Sequence, residues 1–274
     1  MTAFLFSREG GKYVPARMSR GPWDPKLLHG GPPAALLAHA IEGECADPDM
    51  RVARLTIDLF RPVPYAPLEL KTRVVREGKR IKLADAWILA DGVEVARASG
   101  LMLRCAPDAP EGSVTSASRR PIPRWQDVPL KHFVRPEIEG TEFYHARMEV
   151  RRVDPERPGE PMAVWMRVAA ALFPDRPLTP LERAAGVSDF ASAIGMMSRH
   201  PRLHSINADI SIVLHRPAEG EWICVESAGR GDQDGIISSS THLHDSRGMF
   251  GHAMICGMAQ PPAPQMQDHG PAEE

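Results

Sequence analysis

The residues of this sequence best suited to chemistry are an aspartate alone in an apolar stretch and a histidine followed by two glycines at a helix start. Asp189 stands within Ala184 to Met197, where an isolated carboxylate is costly to bury without partners. Bringing a carboxylate from its ordinary pKa of about 4 to near 7 by desolvation takes roughly 4 kcal/mol. Asp189 therefore reads as a group that orients a water and stabilises the positive charge that water gains, not as a strong base. A helix cap with Ser188 nearby is the plainer alternative. At His29-Gly30-Gly31 no side chain keeps a ligand off the backbone N–H groups, and the positive end of the helix dipole points the same way. Donors of this kind stabilise negative charge developing on an oxygen, and losing one typically costs about a hundred- to a thousandfold in rate. The alternative is that both glycines serve only close packing. The phosphate-cradling Gly-rich loop that ends in Lys-Ser or Lys-Thr is missing.

Arg61 and Arg216 each precede a proline at a strand end, where they would either reach phosphate oxygens bidentately or close a turn. Cys256 lies in the apolar run Ala253 to Met258, which raises a thiol's pKa, so it is expected as a buried structural cysteine and not a nucleophile. His242 and His244 share a strand face. No carboxylate or cysteine at metal-site spacing accompanies them, so they are expected as solvated strand histidines, with no metal.

The elements that must position these residues follow from periodicity and punctuation. Phe4 to Tyr13 reads as a strand pair turning at Gly10-Gly11, and Ser19 to Pro25 as loop. A buried helix follows over Ala34 to Glu42, opened by Pro32-Pro33. Strands are expected at Val52 to Phe60, Leu68 to Glu77, Ile81 to Ala90 and Val93 to Arg104. The Pro- and Ser-rich stretch from Ala106 to about Pro136 fits a surface linker. Beyond it, strands at Phe143 to Val153 and Ala163 to Phe173 precede a helix over Leu178 to Met197. Four more strands follow at Ile206 to Leu214, Glu221 to Gly229, Gly235 to His244 and Met249 to Ala259. The tail from Pro261 is expected to be disordered. Leu59-Phe60-Arg61-Pro62 matches Leu214-His215-Arg216-Pro217 at an offset of 155, and Gly100 matches Gly257 at 157. Order, spacing and strand context together read as an internal duplication. The units are 1–105 and 137–260, joined by 106–136 and followed by the tail 261–274.

A buried helix wrapped by a long antiparallel sheet, duplicated in one chain, is the α+β plan of the double hotdog proteins. The sequence resembles the thioesterase II-like acyl-CoA thioesterases. The resemblance rests on Gly21-Pro22-Trp23-Asp24, His29-Gly30-Gly31, Leu59 to Pro62, Val95 to Gly100, Val187-Ser188-Asp189-Phe190 and Leu214 to Pro217. It implies two tandem units, each with a long helix wrapped by a curved sheet, and hydrolysis of a fatty or related acyl-CoA. In that family an Asp on the second helix acts with a Thr and a Gln to bind the attacking water. The Asp falls on Asp189, the Thr position at about Asn207 and the Gln position at about Cys256. Trp23, His29, Gly30, Gly31, Arg61 and Arg216 are the expected substrate-binding residues, and a homo-oligomer is expected. Because Asn207 and Cys256 are not Thr and Gln, an acyl-CoA-binding protein without turnover is the alternative. A hotdog hydratase is disfavoured, since no Asp-x-Asn-Pro-x-His occurs.

Composition narrows the field. Across 274 residues, 33 basic and 35 acidic side chains leave a formal charge of -2, which gives no field for nucleic acid or an anionic membrane. Four dispersed cysteines, no leader-like start and no run of about 20 apolar residues point to a cytosolic protein with free thiols. No cofactor is expected.

Overall fold

The computed structural model describes residues 3–106, 121–132, 143–155, 161–197 and 204–260. The expected tail and most of the expected linker lie outside the described residues. The first part of the chain forms the hairpin β1 (Phe6–Glu9) and β2 (Lys12–Pro15), then α1 (Gly31–Gly43), β3 (Met50–Asp58), β4 (Leu68–Arg76), β5 (Ile81–Ala90) and β6 (Val93–Arg104). After β7 (Lys131–His132) come β8 (Met148–Val153), β9 (Ala163–Val168), α2 (Pro180–Ser188) and α3 (Ala191–Met197). The chain then adds β10 (His204–Asn207), β11 (Asp209–Leu214), β12 (Ile223–Gln233), β13 (Ile236–Asp245) and β14 (Gly248–Gln260).

This is an α+β fold with few helices and one large antiparallel sheet. The strand order is β1-β2-β4-β5-β6-β3-β11-β14-β13-β12-β9-β8-β7, with β10 added to β14. The β3–β11 ladder, from Asp58↔Asp209 to Arg54↔Val213, joins the halves. Outward from it the order is β6-β5-β4 on one side and β14-β13-β12 on the other.

The helices lie on one face. Ten residues of α1 are buried, including Leu36, Leu37 and Ile41, as its Ala/Leu composition requires. One apolar cluster takes in α1, α2 and inward residues of both sheet halves. Helices α1 and α2 run antiparallel, so the start of α1 meets the end of α2. At the other end, Thr179 caps α2 in a reciprocal box with Glu182. The Thr179 hydroxyl also donates to Glu42 at 2.5 Å. Fully buried Glu182 accepts from Arg176 at 2.5 and 2.9 Å, and its carboxyl is held below its ordinary pKa. Burial opposes that shift, and the bonds from His39, Arg176 and the Thr179 backbone overcome it.

Three expectations change. The continuous helix over Leu178 to Met197 is instead two helices, interrupted at Asp189-Phe190. Residues Tyr144–Arg147 form a 3-10 turn before β8. The described part of the linker is packed against the sheet: Trp125 stacks on Trp222, centroids 5.2 Å apart at 12°, and Trp165 Nε1 donates to the Pro123 carbonyl at 2.9 Å.

Candidate active site

The meeting of the α1 start with the α2 end creates a polar cluster inside an apolar interior. Gly30 is the N-cap of α1 and Pro32 and Pro33 fill its first turn, so two of the usual free N–H groups do not exist there. The glycines permit a close approach. A Cβ on Gly30 would stand 2.5 Å from Asp189 Oδ1, and one on Gly31 would overlap the Tyr144 ring and come within 2.8 Å of the Gly186 carbonyl. The packing reading of these glycines is therefore sound, and its consequence is to bring a carboxylate to the positive end of α1.

Asp189 is the C-cap residue of α2 and is 8% exposed. Its side chain turns away from its own helix: Oδ2 lies 2.8 Å from His29 Nδ1, and Oδ1 accepts from Asn207 Nδ2 at 2.7 Å. Asn207 Nδ2 also donates to the Asp189 carbonyl at 2.6 Å. Ser192 donates to Asn207 Oδ1 at 2.6 Å and receives from Ser205 at 3.0 Å, so the amide presents its N–H side to the carboxylate. Ser188 bonds back to the Ala184 carbonyl at 2.7 Å and takes no part in a cap with Asp189.

His29 Nδ1 also lies 3.3 Å from the Gly31 nitrogen. One nitrogen cannot donate to Asp189 and accept from Gly31 together, and the shorter contact to a carboxylate prevails. Nδ1–H then belongs to Asp189 and Nε2 is the acceptor, while the Gly31 N–H remains aimed at the imidazole. The imidazole stacks on Phe190 at 4.9 Å and tilts against Tyr144 at 5.1 Å.

Two further polar groups border the cluster. Tyr144 Oη and His145 Nδ1 are buried without a hydrogen-bond partner among the described residues. Burial, reinforced by the Asp189 charge, pushes the Tyr144 hydroxyl far above its ordinary pKa. Burial, reinforced by His29, drives His145 down to about 3, so it is neutral at ordinary pH. Ser192 follows Asp189 by three residues across the break between α2 and α3, and that closeness in the chain is the mark it carries in the sequence. Tyr144 and His145 follow an aperiodic stretch and carry no such mark.

The remaining expected residues lie elsewhere. Cys256 is exposed, because along β14 the buried positions are Ala253, Ile255 and Gly257. The expectation of a buried cysteine at the water site is corrected by strand alternation. Its thiol is raised by burial and by Asp209. Arg216 is tied to Asp245, with one contact of 2.8 Å, and to the Gly248 carbonyl at 3.0 Å. It thus closes a turn. Arg61 is exposed, and Trp23 is half-buried in the loop before α1. A cleft of about 540 Å³ lies among Trp125, Trp222, Arg151, Arg167, Glu149 and Glu221 and contains none of the cluster. There Arg167 is neutralised by Glu149 and Glu221. His242 and His244 are not simply solvated, since both reach Glu226.

Residues 19–103 match the family model of the acyl-CoA thioesterase N-terminal domain, and residues 114–254 that of the acyl-CoA thioesterase C-terminal domain. No curated protein matches the chain. Among solved structures, a putative thioesterase II from Thermobifida fusca is similar with a TM-score of 0.70 and 15% identity, over 94% of this chain and 96% of that one. An acyl-CoA thioesterase II from Mycobacterium marinum gives 0.66 and 17% over 93% and 95%. A hot dog fold protein of unknown function from Alicyclobacillus acidocaldarius gives 0.69 and 16% over 95% and 97%. At such identities these likenesses establish the hotdog fold.

Proposed function

Because the chain belongs to the acyl-CoA thioesterase family, we propose that it hydrolyses a fatty or related acyl-CoA to the free acid and CoA with a water governed by Asp189. The observation that carries this reading is the His29–Asp189–Asn207 constellation. Both carboxylate oxygens are engaged, so Asp189 acts through His29. It fixes the Nδ1–H tautomer and stabilises the imidazolium that forms.

In this scheme His29 Nε2 removes a proton from water as its oxygen attacks the thioester carbonyl carbon. The oxyanion develops toward the positive end of the α1 dipole, where opposite charge stabilises it. Collapse of the tetrahedral species breaks the C–S bond, and the imidazolium returns its proton to the departing CoA sulfur. Asn207 and Ser192 hold the carboxylate in place. Two units, 1–105 and 137–260, joined through β3 and β11, account for the mirrored strand order. The first contributes His29 and the glycines, the second Asp189 and Asn207.

A panel of acyl-CoAs of graded chain length, with a thiol reagent to detect CoA, tests this. Thiol release with a preferred chain length is expected. Tight acyl-CoA binding without release at any length would instead identify a binding protein.

A further inference from the structure

On the opposite face of the sheet, Glu226 of β12 lies opposite His242 of β13, and Cys224 opposite His244. Residues Cys224, Glu226, His242 and His244 alternate with the inward Val225, Thr241 and Leu243, so their side chains project outward together. Glu226 Oε2 lies 3.2 Å from His242 Nδ1 and 3.0 Å from His244 Nε2. The three ligand atoms all fall within 4.8 Å of one another. We infer that Glu226, His242 and His244 form a binding site for a divalent first-row transition metal, zinc foremost, separate from the hydrolytic cluster.

The donor chemistry and the spacing both support this assignment. Two imidazole nitrogens and one carboxylate oxygen are a common three-residue zinc set. Tetrahedral zinc with bonds of about 2.0 to 2.2 Å needs ligand atoms roughly 3.3 Å apart, close to the two edges observed. Mg²⁺ and Ca²⁺ favour all-oxygen shells and fit poorly. The site is also built. Glu226 is 4% and His244 7% exposed, beside the apolar patch of Cys224, Trp165 and Trp222. Register shifts flank it, between Ser227 and Gly229 on β12 and between Leu243 and His244 on β13, the kind of irregularity that re-aims side chains. The His252 ring stands 5.3 Å from that of His242, near enough to supply a fourth ligand after a rotamer change. Without metal, Glu226 accepts hydrogen bonds from both histidines and the geometry is maintained.

The tag-free full chain, stripped with a chelator, is titrated with Zn²⁺ by calorimetry and with Co²⁺ by visible absorption, with Mg²⁺ as control. One equivalent of Zn²⁺ is expected to bind, Co²⁺ to develop ligand-field bands, and Zn²⁺ to raise the unfolding temperature. His242→Ala and His244→Ala are each expected to weaken binding more than about tenfold. Glu226→Gln, which keeps the shape of the side chain, does the same and stands in should the histidine variants fail to fold. Zn²⁺ binding no tighter than Mg²⁺, or unchanged in these variants, overturns the inference. Neither result bears on thioester hydrolysis.

Discussion

His29 Nδ1 and Asp189 Oδ2 lie 2.8 Å apart, yet the first precedes α1 and the second ends α2. Their meeting depends on how the two helices pack, and that packing is held at its far end by Glu182, Arg176, Thr179 and Glu42. The site is thus shared between the halves of the chain, and neither half alone is expected to hydrolyse a thioester.

Gly30→Ala is expected to displace the Asp189 carboxylate, because the new Cβ would stand 2.5 Å from Oδ1. A loss in kcat of roughly 10- to 100-fold follows from misplacement on the scale of an ångström. Steady-state kinetics alongside thermal unfolding separate this from loss of the fold. Unchanged kcat would contradict the close approach.

Tyr144→Phe removes a buried hydroxyl that lacks a partner among the described residues. Stability is expected to hold or rise by up to about 2 kcal/mol, because a desolvated donor is eliminated. Hydrolysis should be retained. Denaturant unfolding and the thiol assay check the two halves of the prediction.

His145 is pushed down to about 3 from 6.5 by burial and by His29. Between those values the unfolded chain binds the proton and the folded chain does not. Its contribution to stability is therefore present above about pH 6.5 and is lost as pH falls toward 3, by at most about 1.4 kcal/mol per pH unit. Urea unfolding at a series of pH values should show a shallower acid loss in His145→Phe than in the parent chain.

Glu42 has the opposite sign. Burial raises its pKa from 4.5 to about 7, against the lowering effect of the Thr179 hydroxyl. The folded state holds this proton more tightly, so its ionisation costs stability as pH rises from 4.5 through 7. Glu42→Gln should stabilise the protein above pH 7, by at most about 3 kcal/mol, and have little effect below 4.5. Equal stabilities at pH 8 would contradict the shift.

Much of this arrangement is legible in the residues themselves. Asp189 is conspicuous as a carboxylate among apolar neighbours, and α1 is conspicuous for its prolines and alanines. The β3 and β11 motifs betray each other by spacing, and these strands are the ones that pair. The break at Asp189-Phe190 has no proline to mark it, so the apolar run reads through it as one helix; at the break the carboxylate turns to His29 and Asn207. Cys256 is misplaced by one residue of strand parity, which relatedness of order cannot resolve. Glu226 is invisible beside His242 and His244 because it is joined to them by the β12–β13 register, which a bulge at Ser227/Gly229 sets. His29 stands out for its glycines, but its partnership with Asp189 is a product of helix packing.

The most direct test of that partnership is a double-mutant comparison of kcat/KM for His29→Ala, Asp189→Asn and the two combined. If the pair works as one unit, each single change lowers kcat/KM by about 10²- to 10⁴-fold and the combination costs little more than either alone. Activity unchanged in Asp189→Asn, or losses that multiply in the double variant, would contradict the account.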